Sequence, residues 1–212
     1  MPVRVALVHA VRVAIAPVEE AFQRHWPEAE LLNLLDDSLS RDRNRSGELT
    51  ADLSARIAAL ADYGIGAGAD AVLYTCSAFG EAIEAVKRSR HVPVLRPNEA
   101  MLDEALRHGR RIGMLATFAP TVPALEAELR QIDAAVSIKS VCVPEAMKAL
   151  DAGDGATHDA LLARAAPQLG DCDAVMLAQF STARAHNAVA AAIRCPVITS
   201  PKSAVLRLKG LL

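Results

Sequence analysis

The chain repeats itself, and that repeat limits what it can fold into. Asp70-Ala71-Val72-Leu73-Tyr74-Thr75-Cys76 returns as Asp173-Ala174-Val175-Met176-Leu177-Ala178-Gln179, 103 positions on (173 against 70). Pro93-Val94 meets Pro196-Val197 at the same offset, and Arg4-Val5-Ala6-Leu7-Val8 resembles Arg111-Ile112-Gly113-Met114-Leu115 at 107 (111 against 4). Three anchors in one order at nearly one offset imply a duplicated half of roughly 100 residues. We therefore expect two similar lobes, residues 1–96 plus 200–212 and residues 97–199.

Within each half, short apolar runs alternate with Ala/Leu-rich amphipathic stretches. Strands are expected at Val3–Val8, Ala29–Leu34, Ala71–Tyr74, Val92–Leu95, Arg111–Leu115, Val136–Val141, Ala174–Leu177 and Pro196–Ile198. Helices are expected at Pro17–His25, Glu48–Gly64, Ala78–Ser89, Asn98–His108, Thr121–Gln131, Thr157–Leu169, Thr182–Ile193 and Lys202–Leu208. This alternation predicts an α/β fold of two pseudo-symmetric lobes, each a mainly parallel sheet flanked by helices. Composition agrees: 52% of residues are hydrophobic but only 3% aromatic, which suits helices on parallel strands and gives no stacking platform for nucleic acid. A formal charge of −2, from 23 basic and 25 acidic residues, leaves no footprint for a polyanion. No apolar run reaches the ~18 residues of a membrane span, and MPVRVALVHA lacks the layout of a signal peptide. The four cysteines form neither a CxxC pair nor a metal-ligand cluster with His. The expectation is a cytoplasmic protein with reduced thiols and no metal, nucleic-acid or membrane partner.

Ligands of open parallel sheets bind beyond the carboxyl ends of the strands, so the residues there are the first candidates. They are His9-Ala10, Asp36-Asp37-Ser38, Thr75-Cys76-Ser77, Ala116-Thr117, Gln179-Phe180-Ser181-Thr182 and Thr199-Ser200. Cys76 stands out because it immediately precedes a helix, whose N–H groups and partial positive charge lower a thiol pKa and attract carboxylates. Cys142, at the end of a peripheral strand, is the rival thiol; Cys172 and Cys195 precede their strands and read as structural. Gly64, Gly66 and Gly68 form GxGxG ahead of a strand, not after one, so they read as a turn and not a dinucleotide loop. Arg41–Gly47 reads as a polar loop whose arginines could meet a substrate carboxylate, and Asp36 and Asp37 as caps.

A duplicated α/β chain with strand-Thr75-Cys76-Ser77 before a helix resembles the aspartate/glutamate racemase superfamily, which includes hydantoin racemase, maleate isomerase and arylmalonate decarboxylase. The resemblance covers nearly the whole chain, including RIGMLATFAPT (Arg111–Thr121) and Ser200-Pro201. It implies a cofactor-independent isomerase with its active site in the cleft between lobes, where two cysteines exchange a proton beside a carboxylate. Cys76 matches the first cysteine, and Gln179 occupies the place of the second, so both are catalytic candidates. Thr75, Ser77 and Thr117 match carboxylate-binding positions; His9, Thr121, Phe180 and Ser181 complete the substrate-binding set. A glutamine amide is a negligible acid or base near neutral pH. One thiol leaves three chemistries: racemisation with a second base, for which His9 and His186 are candidates, decarboxylation with one-sided protonation, or thiolate addition to a double bond. A protein that binds carboxylates without turnover is the remaining alternative. The implied partner is a small-molecule carboxylate, and a homodimer is compatible with the same reading.

Overall fold

A computed structural model describes residues 2–212. The chain forms β1 (Arg4–His9), α1 (Ile15–His25), β2 (Glu30–Leu35), α2 (Leu39–Ser46), α3 (Ala51–Gly66), β3 (Ala71–Tyr74), α4 (Gly80–Ser89), β4 (Val94–Leu95) and α5 (Glu99–His108). It continues with β5 (Arg111–Ala116), α6 (Thr121–Ile132), β6 (Ser137–Cys142), α7 (Pro144–Asp151), α8 (Gly155–Ala165), β7 (Ala174–Leu177), α9 (His186–Ala192), β8 (Val197–Thr199) and α10 (Ser200–Leu211). It divides into two compact units: the chain up to Ala100 with Ala204–Leu212, and Met101–Ser203.

Each unit holds one four-stranded sheet, ordered β2-β1-β3-β4 in the first and β6-β5-β7-β8 in the second. Every strand pair is parallel. The register of β1 on β3 (Val5 opposite Ala71) and of β5 on β7 (Ile112 opposite Ala174) shows the sequence repeat as a repeat of structure. In this strand order the connections reverse direction between the two central strands, so the crevice of each sheet opens at their carboxyl ends. Those ends carry His9 and Cys76 in the first unit, and Thr117 and Gln179 in the second.

The central strands are covered on both faces and therefore apolar throughout. All four residues of β3 (AVLY) and of β7 (AVML) are buried, whereas the outer strands β2 and β6 have no fully buried residue. The helices are held by local chemistry: Thr50 caps α3 by accepting from the Leu53 N–H (3.2 Å), and Phe22 stacks on Trp26 at the end of α1 (6.0 Å between ring centroids).

All eight expected strands are present, each within two residues of its expected bounds. The helices depart in three places. Arg41–Gly47, read as a polar loop, belongs to α2 and its cap. With one apolar residue in LSRDRNRS, periodicity gives no signal; tertiary contacts fold it instead. Leu39 is fully buried, Arg56 from α3 donates to Asp42 (2.8 Å), and Gly47 closes the helix at φ +72°, a left-handed conformation that costs other residues more. Helix α7, not anticipated, starts at Pro144 directly after β6 and buries Ala146. Finally, Gly64 and Gly66 lie inside α3, and only Gly68 is in the turn that follows. A Cβ on Gly64 would come within 2.6 Å of the Ala6 Cβ, so its role is close packing of α3 on β1.

Candidate active site

After Tyr74 the chain continues through Thr75 and Cys76 into a 3-10 turn, Ser77–Phe79, that feeds α4. Cys76 has extended backbone (φ −128°, ψ 123°) and is pinned from both sides. Upstream, the buried Tyr74 hydroxyl donates to the Ile57 carbonyl (2.9 Å) and the Thr75 N–H to the Val8 carbonyl (3.0 Å). Downstream, Phe79 is fully buried. The residue is half-buried and rests against the first unit's core. Burial pushes the thiol pKa above its ordinary value; the Ala78 backbone and the Ser40 side chain oppose that rise without cancelling it. The expectation of a depressed thiol pKa is thus corrected. The helix-start donors are in place, but desolvation outweighs them.

Below Cys76 runs a chain of polar groups that leads from the buried Thr75 and His9 to the exposed Asn33 and Glu19. His9, fully buried, meets the Thr75 Oγ1 through Nδ1 (2.9 Å) and the Asn33 Oδ1 through Nε2 (2.9 Å). Asn33 in turn donates from Nδ2 to the Glu19 carboxylate (2.7 Å). Because the Asn33 oxygen can only accept, Nε2 of His9 carries the proton, and neutral His9 accepts at Nδ1 from the Thr75 hydroxyl. Both ring nitrogens are therefore occupied, Nδ1 by Thr75 and Nε2 by Asn33. Burial, the largest influence, lowers the His9 pKa, while Asn33 and Glu19 pull it up by less.

In the second unit, Gln179 occupies the position equivalent to Cys76. It has the same extended backbone (φ −122°, ψ 156°) and starts a 3-10 turn, Phe180–Ala185. Its backbone is locked by Thr182, whose Oγ1 accepts from the Gln179 N–H (3.2 Å) and donates to the Gln179 carbonyl (2.7 Å). Its side-chain Oε1 accepts from the Thr117 N–H (3.1 Å) and the Thr117 hydroxyl (3.4 Å). Its Nε2 is buried and has no hydrogen-bond partner among the described residues.

The structure thus brings His9, Thr75 and Cys76 together in the first unit, with Ser77 exposed beside them. In the second unit it joins Thr117 to Gln179; Phe180 and Ser181 are buried in the adjoining turn, and Thr121 opens α6. His186 is the first residue of α9 and bonds Asn187 (3.0 Å). Asp36 is a turn and ion-pair residue. Its carboxylate takes the Ser38 N–H (3.1 Å), the Ser38 hydroxyl and the Arg56 guanidinium. Burial is the largest single influence on it and pushes upward, but Ser38 and Arg56 together hold it below the usual value. Asp37 pairs with Arg12 (2.7 Å), and Arg45 with Asp42 (3.3 Å). Cys142 ends the outer strand β6, its thiol pushed up by burial and by Glu145, while Cys172 and Cys195 precede β7 and β8 and pack on the core away from Gln179. Among the described residues, no three His, Cys, Asp or Glu side chains gather as a metal site, and no helix is long and apolar enough to cross a membrane. Ser40, Asn33 and Glu19 were not anticipated as site residues, whereas Thr182 stood among the strand-end candidates. The polar Asn33, in the middle of the leucines of β2, was the available signal.

Two parallel α/β sheets, each opening a polar strand end at its switch point and one of them presenting a thiol, define the class to which this molecule is compared. The family profile described as Asp/Glu/Hydantoin racemase matches residues 14–208, and the chain belongs to that family. Solved structures agree on the fold. An allantoin racemase from Klebsiella pneumoniae superposes with a TM-score of 0.75 at 18% identity, over 99% of this chain and 87% of its own. A glutamate racemase isoform from Bacillus anthracis gives 0.73 at 15%, over 99% and 81%. An aspartate racemase homologue from Pyrococcus horikoshii OT3 gives 0.71 at 14%, over 100% and 99%. Among curated protein sequences, none matches this chain.

Proposed function

We propose that this racemase-family protein is a cofactor-independent isomerase that moves a proton on the carbon next to a carboxyl or carbonyl group, with the Cys76 thiolate as base. The observation that carries this reading is the Cys76 thiol at the switch-point end of β3, where the chain turns through Ser77–Phe79 into α4. The thiolate takes the proton from carbon. The electron pair left behind moves into the adjacent C=O to give an enediolate; a proton returned by the new thiol gives exchange with retention, and a proton delivered to the opposite face gives the other enantiomer. Thr75 and Ser77 flank the sulfur as candidates to hold the carboxylate. The similar structures are named for acting on glutamate, aspartate and allantoin, all of which carry an acidic C–H beside such a group.

A second reading, decarboxylation of a malonate-type acid with protonation on one face, is favoured by Gln179 standing where a second thiol would be. Both readings share the enediolate and the Cys76 proton. The test is deuterium incorporation at the α-carbon of a panel of carboxylic acids, amino acids and hydantoins, read by mass spectrometry. Wild type should exchange at least one, and Cys76→Ser should lose about a thousandfold or more, because a serine hydroxyl is far less acidic than a thiol. Full exchange by Cys76→Ser removes the thiol mechanism.

A further inference from the structure

We infer that Gln179 is a ligand-oxygen donor: its side-chain amide, fixed by Thr117, hydrogen-bonds a carboxylate or carbonyl oxygen of a molecule bound at the carboxyl end of β7. This deepens the proposed function and rests on it for the identity of the reacting group. The orientation of the amide follows from chemistry. The Thr117 backbone N–H can only donate, so the side-chain atom 3.1 Å away is the oxygen, and the opposite end is the NH₂. That NH₂ group is buried and without a partner among the described residues, a costly condition for a donor of this strength. Thr182 holds the Gln179 backbone from both its N–H and its carbonyl, so the amide is preset and not free to swing toward another acceptor. An NH₂ donor selects an acceptor and repels an ammonium. The substrate's oxygen therefore faces Gln179 and its amino group, where it has one, faces elsewhere. The second half of the duplication has exchanged a proton carrier for an oxygen holder.

The test reads binding in the Cys76→Ser protein, where turnover does not intervene. The Gln179 side-chain amide pair is observed by ¹⁵N NMR, assigned by its loss in Gln179→Glu, and titrated with malonate and, separately, with neutral hydantoin. A saturable shift of this pair is expected; malonate alone identifies a carboxylate oxygen, and hydantoin as well extends the site to a neutral carbonyl. Gln179→Glu keeps an oxygen for the Thr117 N–H, so the fold is retained, but it replaces the donor with an acceptor. The affinity of whichever probe binds should fall by roughly tenfold to a hundredfold. An amide pair unmoved by both probes, or unchanged affinity in Gln179→Glu, overturns the inference. Failure of the thiol reading looks different: Cys76→Ser would retain exchange, whatever the amide does.

Discussion

Neutral His9 accepts at Nδ1 and donates at Nε2; its protonation would turn the Thr75 hydroxyl to the Val8 carbonyl (3.3 Å) and put a charge in the core. Its pKa is lowered chiefly by burial, from 6.5. The unfolded chain therefore binds a proton that the folded one refuses, and stability falls as pH drops from 6.5 toward the lower folded value, then levels off. His9→Gln can keep one donor and one acceptor while removing the titration. Urea midpoints measured from about pH 5 to about pH 8 should show the acid-side slope reduced in this variant, by at most about 1.4 kcal/mol per pH unit. An identical slope in both proteins would show that another group carries it.

At the scale of elements, α2 is what delivers Ser40 to the sulfur. The Ser40 hydroxyl donates to the Ala10 carbonyl (3.2 Å), and Ser40 acts to lower the Cys76 pKa. Because it opposes the burial-raised thiol pKa, Ser40→Ala should move the pH at which exchange activity rises to a higher value, with the plateau rate little changed. A pH–rate profile checks this. Gly47→Ala should destabilise the fold by about 1 kcal/mol, since alanine must adopt the left-handed conformation at the helix cap, and urea denaturation reads it directly. The strands were legible because β3 and β7 are unbroken apolar runs and the outer strands flank them at regular intervals. Cys76 was legible because a thiol at a strand end needs only local sequence to be noticed. Helix α2 was not, since Arg56 and Asp42, 14 residues apart, decide it, nor was Ser40, which reaches Cys76 across 36 positions (40 against 76). The sign of the thiol shift was misread for the same reason: helix-start donors are local, but desolvation depends on the whole unit packed around the sulfur.

For the whole molecule, the duplication makes Gln179→Cys an informative exchange. It puts a thiol at the position equivalent to Cys76, on the same backbone conformation, with Thr182 still holding the turn. If both strand ends serve one reacting carbon, wild type should exchange one enantiomer's α-proton faster than it racemises, and Gln179→Cys should raise racemisation relative to exchange by about tenfold or more. Chiral chromatography combined with deuterium counting gives that ratio. An unchanged ratio would mean that the two halves do not share a proton-transfer task.

The first unit is also not a continuous stretch of chain. Ala204, Val205 and Leu208 of α10 are fully buried, and Lys209 donates to the His25 carbonyl (3.1 Å) at the end of α1. A ribosome makes the chain from its amino end, and domains ordinarily fold as they emerge. Here the earlier half has to wait. Its sheet can assemble once β4 is out of the exit tunnel, but its last helix arrives only after the entire later half has been synthesised. The later half, uninterrupted in sequence from Met101 to Ser203, is free to finish before the half that was made first.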